Sequence, residues 1–204
     1  MYVVMVCGGM GSGKSTAVSH LEERGVETLS LDEVSHEVLV GERQLRDDLI
    51  TAFGPSIVGE DGAIVPSRLA EVAFVDDASA ARLRRITFPY ITTRAIAHLE
   101  SLRQRSPEPE VVIVEVPLLE EAGDFAEIAD EVVAIVAPVD MRLDRAAARC
   151  GSRQDAEARI AVQASDEVRM ALADTVIVND GTLASFLDKV DAWFEGHAAR
   201  GWCT

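Results

Sequence analysis

The chain opens with an apolar run, Tyr2–Cys7, that leads without a polar linker into Gly8-Gly9-Met10-Gly11-Ser12-Gly13-Lys14-Ser15-Thr16. This order constrains the fold more than any other feature of the sequence. Residues 8–15 fit G-x-x-x-x-G-K-[ST], a pattern that has physical content only between a strand and a helix. Both neighbours are expected here, with a first strand ending at Cys7 and a helix from about Lys14 to Arg24 that Gly25 is placed to stop. Glycines let the backbone turn tightly and aim successive N–H groups at phosphate oxygens. The following helix adds the positive end of its dipole. Lys14 is expected to reach the β- and γ-phosphates, and the Ser15 hydroxyl to ligate Mg²⁺. The chain carries only two lysines among 19 basic residues, so a lysine in this slot is informative. The competing reading is a glycine-rich turn with no ligand.

Further apolar, β-branched runs follow at Val26–Leu31, Val111–Val116, Glu131–Ala137 and Thr175–Asn179. Runs without alternation are expected of strands covered on both faces, so the chain reads as α/β, a parallel sheet flanked by helices. About eighty residues separate the second and third runs, too many for one crossover helix. A helical insert is expected at roughly 33–105, with turns at Gly54-Pro55 and Asp61-Gly62. A second, mostly helical insert is expected at about 139–172. The last helix follows Asn179-Asp180-Gly181, with Thr182 as its cap and Leu183, Phe186, Leu187, Val190, Trp193 and Phe194 as one buried stripe. At 204 residues the whole, 1–204, is expected to be one domain.

Asp32 ends the second run. In an open parallel sheet the carboxyl ends of the strands line the ligand crevice, so this carboxylate is expected near the γ-phosphate, as a proton acceptor or a Mg²⁺ ligand. The alternative is an N-cap for a helix starting at Glu33.

The formal charge is -16, with 35 acidic residues, which argues against nonspecific nucleic-acid binding or a basic membrane patch. Against that field, Arg82, Arg84, Arg85, Arg94, Arg103 and Arg105 face only Glu100 across 82–105, a local +5. As a group they read as an anion site, because guanidinium forks match phosphate oxygens. In the second insert, Arg142, Arg145, Arg149 and Arg153 read as an arginine-bearing cover over a triphosphate, or as ordinary salt bridging with Asp144 and nearby acids. Cys150-Gly151-Ser152 is expected to interrupt their helix.

Weaker candidates complete the list of chemistry-bearing residues. His20, His36, His98 and His197 have no metal-ligand spacing. Cys7, Cys150 and Cys203 support neither a disulfide framework nor a zinc site, so a reducing cytosol is the default. Glu115 ends a strand and could touch Mg²⁺ through water. The acids from Glu108 to Glu131 read as a solvated edge. No run is long enough to span a bilayer, and MYVVMVCGGMG lacks the pattern of a signal peptide.

Taken together, GGMGSGKST, LDEVSHEVL, RLAEVAF, Phe88-Pro89-Tyr90-Ile91, VPLLEE, RLDRAAAR, ARIAVQAS and ADTVIVNDG resemble the dephospho-CoA kinases, of the P-loop nucleoside-monophosphate-kinase-like group. The likeness runs from Val4 to about Leu187. It implies a three-layer α/β/α P-loop fold with a five-stranded parallel sheet in the order 2-3-1-4-5. It also implies that the insert at 33–105 holds the acceptor and that the helical 142–165 segment is the lid. The activity implied is transfer of the ATP γ-phosphate to the 3′-hydroxyl of dephospho-CoA, with Mg²⁺, in the cytoplasm, by a monomer or weak homo-oligomer. By the same resemblance Asp32 is the catalytic carboxylate, Gly8 to Thr16 bind the phosphates, and Arg145 and Arg149 are the lid arginines. Gln163 and Asn179 match positions near the nucleotide. The sequence departs from the family pattern at Ser30, Pro66, Phe88 and Glu120, all in or near acceptor-facing segments. Two other readings stay open: a kinase of the same architecture with another acceptor, such as a nucleoside monophosphate or a small hydroxy acid, and a non-catalytic ATP-binding switch.

Overall fold

The computed structural model describes residues 1–117, 128–161 and 163–202. Leu118 to Glu121 of VPLLEE, including Glu120, and Cys203 lie outside the described residues, as does Val162 of ARIAVQAS. Two compact units are formed. One comprises Met1–Ser30 with the chain from Arg103 onward, and the other comprises Leu31–Leu102.

The first unit contains a five-stranded sheet of β1 (Tyr2–Cys7), β2 (Glu27–Ser30), β3 (Val111–Glu115), β4 (Glu131–Val136) and β5 (Thr175–Val178). The order is β2-β3-β1-β4-β5 and every pairing is parallel. The order and the parallel sense agree with the expectation. β1 lies at the centre, with Val4 and Val6 on one face and Val3, Met5 and Cys7 on the other, all buried. That two-sided burial is why the run is unbroken by polar residues. Helices α1 (Lys14–Glu23) and α9 (Leu183–Ala198) cover the Val4/Val6 face through Ala17, Val18, Leu21, Phe186 and Val190. α1 stops where expected: the Gly25 N–H donates to Glu22 O at 2.8 Å with Gly25 at φ 87°, a conformation glycine adopts without strain.

Thr182 caps α9 as expected, its Oγ1 accepting from Ser185 N at 3.2 Å. The buried stripe of that helix needs one correction. Leu183 is 62% exposed, and burial begins at Phe186. The acidic stretch also needs one. Glu131 is only 4% exposed, and accepts from Thr175 Oγ1 at 2.6 Å and Trp193 Nε1 at 3.1 Å, with His197 Nε2 3.0 Å away. It opens the interior strand β4 rather than a solvated edge.

In the same unit, the segment after β4 forms α6 (Val139–Cys150), α7 (Arg153–Ala161) and α8 (Asp166–Leu172). Gly151 ends α6 at φ 77°, with its N–H on Ala147 O at 2.9 Å, which is the expected interruption. Arg153 therefore leaves the face shared by Arg145 and Arg149. It pairs instead with Asp144 at 2.5 Å and Glu157 at 3.3 Å.

The second unit is helical: α2 (Leu31–Gly41), α3 (Arg43–Phe53), a single 3-10 turn (Pro55–Ile57), α4 (Pro66–Ala73) and α5 (Asp77–Arg103), whose last residue belongs to the first unit. Its core comprises Leu31, Val34, Val38, Leu45, Leu49, Ile57, Leu69, Ala95 and Leu99. Gly54 and Gly62, at φ 88° and 79°, make the two expected turns. Leu31 is where the sequence reading of the second strand fails. Its side chain is buried with Val34 and Val38, a three- and four-residue spacing, so it begins a helix instead of ending a strand. Asp32 consequently lies inside the first turn of α2 and is not an N-cap for a helix starting at Glu33. Among the described residues, no helix is long and apolar enough to cross a membrane.

Candidate functional site: a phosphate loop and its lining

The loop leaves β1 at Gly8 and enters α1 at Lys14, with Gly11 and Gly13 at φ 78° and 104°. An L side chain is strained at either value, so these two glycines are required by conformation. Close packing requires the others. A Cβ at Gly8 would stand 2.5 Å from Ile135 O and 2.5 Å from Ser12 Oγ, and one at Gly9 would collide with the Arg142 guanidinium. Inside the loop, Ser12 N donates to Gly9 O at 3.0 Å and closes the turn.

Four polar groups of the loop backbone, from Met10 to Ser12, engage side chains from beyond β4. Met10 N donates to Gln163 Oε1 at 2.9 Å, and Met10 O accepts from Arg142 Nε at 3.1 Å. Gly11 O accepts from Arg145 Nη1 at 3.3 Å, and Ser12 O from Asn179 Nδ2 at 2.8 Å. Asn179 Oδ1 in turn accepts from Arg145 Nη2 at 3.1 Å, so loop, α6 and the end of β5 close into one network. The second lysine steadies that end: Lys189 Nζ donates to Val178 O and to Asp180 Oδ1, both at 2.7 Å. The Lys189 ammonium bonded to Asp180 holds its carboxyl below the usual carboxylate range.

Beside the loop lies a cleft of about 340 Å³ lined by Gly11, Gly13, Thr16, Arg145, Arg149, Asn179, Leu183 and Phe186. Six of these are residues expected at the site from the sequence: Arg145, Arg149 and Asn179 arrive from two distant stretches, and Gly11, Gly13 and Thr16 come from the loop itself. Leu183 and Phe186 were expected only as core. The signal that could have marked Leu183 is its place directly after the Asn179-Asp180-Gly181 turn, at the carboxyl end of a strand. An apolar wall beside arginines and backbone amides suits a base and a charged tail together.

At the other end of the loop, Lys14 Nζ donates to Val116 O at 3.0 Å and lies 3.8 Å from Glu115 Oε1. Ser15 Oγ donates to Glu115 Oε1 at 2.7 Å. Glu115 thus stands at the end of β3 directly against the two loop side chains expected to handle phosphate and metal. Ser15 and Glu115 offer hard oxygen donors, the kind a Mg²⁺ ion takes.

Asp32 is exposed in the first turn of α2, in the second unit. The arginines of 82–105 do not form one group. Arg82, Arg84, Arg85 and Arg94 belong to the second unit, whereas Arg103 and Arg105 belong to the first. Arg105 is spent on Glu27, and Arg82 Nη1 donates to Ala52 O at 3.4 Å. Three of the four histidines make side-chain contacts with acids: His20 with Asp191 at 2.8 Å, His98 with Glu37 at 3.3 Å, and His197 with Glu131 at 3.0 Å.

Comparison with known proteins accords with this geometry. The family model for dephospho-CoA kinase matches residues 2–185. A dephospho-CoA kinase of Ralstonia nicotianae is 36% identical over 196 residues, covering 94% of this chain and 96% of its own. Among solved structures, TT1252 from Thermus thermophilus superposes with a TM-score of 0.76 at 26% identity, covering 98% of this chain and 97% of that one. A dephospho-CoA kinase from Campylobacter jejuni has a TM-score of 0.72 at 22% identity, covering 98% of each chain, and so shares the fold. With the family model spanning nearly the whole chain and a relative matched end to end, the chain belongs to the dephospho-CoA kinase family.

Proposed function

We propose that the protein transfers the γ-phosphoryl group of ATP to the 3′-hydroxyl of dephospho-CoA, releasing ADP and CoA. The observation that carries this is the family match over residues 2–185 on a chain whose phosphate loop is complete and opens beside a nucleotide-sized cleft. In the step, the 3′-oxygen bonds to the γ-phosphorus as the bond from that phosphorus to the ADP oxygen breaks, and the hydroxyl proton passes to the Asp32 carboxylate. The amides from Gly8 to Thr16 bind the β- and γ-phosphates, and Lys14 leaves Val116 O to follow the charge. Arg145 and Arg149 offset charge on the transferring oxygens. Ser15 and Glu115, with Asp32, are the residues that would hold Mg²⁺. Bound there, the ion supplies neutralisation of the phosphate charge. Arg84, Arg85 and Arg94 of the helical unit are proposed to receive the acceptor diphosphate. The enzyme is proposed to act in the cytoplasm, as a monomer or weak homo-oligomer.

The test is ADP formation from ATP with dephospho-CoA, AMP and shikimate offered in parallel. ADP with dephospho-CoA alone is the expected result. ADP with AMP or shikimate instead would move the acceptor assignment, and no ADP with any of them would leave a nucleotide-binding protein without this activity.

A further inference from the structure

Of the three arginines that α6 carries on one face, the deepest has no part in the cleft. Arg142 is 3% exposed. Its Nε donates to Met10 O at 3.1 Å and its Nη1 to Asp166 Oδ1 of α8 at 3.1 Å, while Nη2 is buried close against Gly9, with no hydrogen-bond partner among the described residues. Burying a guanidinium is costly unless its donors are used, so a third, unused arm calls for an explanation.

We propose that Arg142 is a positioning residue that sets the orientation of the Met10–Gly11 peptide in the phosphate loop. A peptide unit is planar and trans, so its C=O and N–H point in opposite directions. Fixing the Met10 carbonyl on the Arg142 side therefore fixes the Gly11 N–H on the other. Backbone sterics do not make that choice, because glycine at position 11 populates both signs of φ. Met10 N is meanwhile held by Gln163, so the peptide cannot escape the constraint by rotating the whole residue. Asp166 completes the device by holding the fork at its far end, which a lysine ammonium could not match at both points. The inference rests on the phosphate-binding role of the loop proposed above, and it concerns nucleotide binding, not the acceptor.

The experiment measures ADP and AMP affinity by calorimetry, without acceptor, for the unaltered protein, Arg142→Met, Arg142→Lys and Asp166→Asn, with thermal midpoints alongside. ADP carries the β-phosphate that the loop amides read, whereas AMP relies on the cleft. A charge-assisted hydrogen bond that orients a loop peptide sets the expected loss for Arg142→Met at about 10- to 100-fold in ADP affinity, with AMP affinity kept within about twofold. Arg142→Lys should recover part of the ADP affinity, and Asp166→Asn should lose about threefold by loosening the fork. Should Arg142→Met fail to fold, Arg142→Lys carries the test, with an ADP-selective loss expected. ADP and AMP weakened alike, or neither weakened, would overturn the proposal. Because no acceptor is present, an ADP-selective loss stands even if dephospho-CoA proves not to be the substrate, and unchanged ADP affinity would refute it in a fully active kinase.

Discussion

Gly13→Ala tests whether the loop network is as tightly drawn as its distances say. Gly13 has φ 104°, and a Cβ there would fall inside the contact distance of Asn179 Nδ2 and 3.2 Å from Phe186 Cε1. Left-handed backbone costs a residue with a Cβ about 1–2 kcal/mol. Moving Asn179 aside also breaks its bond to Ser12 O and its bond from Arg145, each worth about 1 kcal/mol net. The expected loss of stability is therefore about 3–4 kcal/mol, which lowers the thermal midpoint of a chain this size by roughly 6–16 °C. Urea unfolding gives the free energy directly, provided the slope with denaturant is unchanged. The cycle with Asn179→Ala isolates the collision. In that background the clash and both hydrogen bonds are already gone, so Gly13→Ala should cost only the backbone part, about 1–2 kcal/mol. A loss under about 1 kcal/mol in the unaltered protein, or an equal loss in both backgrounds, would refute the reasoning.

Asp32→Asn should keep ADP affinity within a factor of about two and lower turnover by roughly 10²–10⁴, as expected for removal of a proton acceptor; normal turnover would remove Asp32 from the reaction. Lys14→Met should lose roughly 10²–10³ in kcat, the cost of one charge-stabilising donor, as read by the same ADP assay. Hydrogen bonding to Asp48 pushes the Tyr90 hydroxyl up to about 12, and burial with the nearby Glu131 raises Tyr2. Tyr90 is held protonated past the ordinary value near 10, so alkaline titration at 295 nm should show less than a full step for the two tyrosines there while the protein stays folded. The sign for stability follows: it is retained below 10 and declines as pH rises from there towards 12. A full step at 10 in native protein would contradict the Tyr90–Asp48 bond. Thr182→Ala removes the cap of α9 and should cost about 1 kcal/mol by urea unfolding.

Much of this protein was legible without coordinates wherever a local rule sufficed. The apolar runs marked β1, β3, β4 and β5 to within a residue at their ends: the interior strands β1, β3 and β4 because burial on both faces tolerates no alternation, and the edge strand β5, whose Val176 and Val178 are exposed, through its β-branched residues. The loop was legible because its glycines, lysine and serine must stand at fixed offsets from a strand and a helix. β2 was less well bounded: it is an edge strand, half-buried along its length, and its apolar neighbour Leu31 serves the next helix.

Arg142, Arg145 and Arg149 mark the limit. Their spacing of three and four places them on one face of α6, and that much the sequence determines by itself. It cannot rank them by depth. In the structure Arg142 is buried beneath the loop, Arg145 is half-buried against Gly11 and Asn179, and Arg149 is exposed at the cleft. Glu131 and Leu183 pose the same problem in reverse, a buried acid and an exposed leucine. Helical and strand periodicity is set by the backbone of the element itself, so sequence determines which residues face together. Burial and partnership depend on what distant parts of the chain bring against that face, and only the tertiary structure decides that.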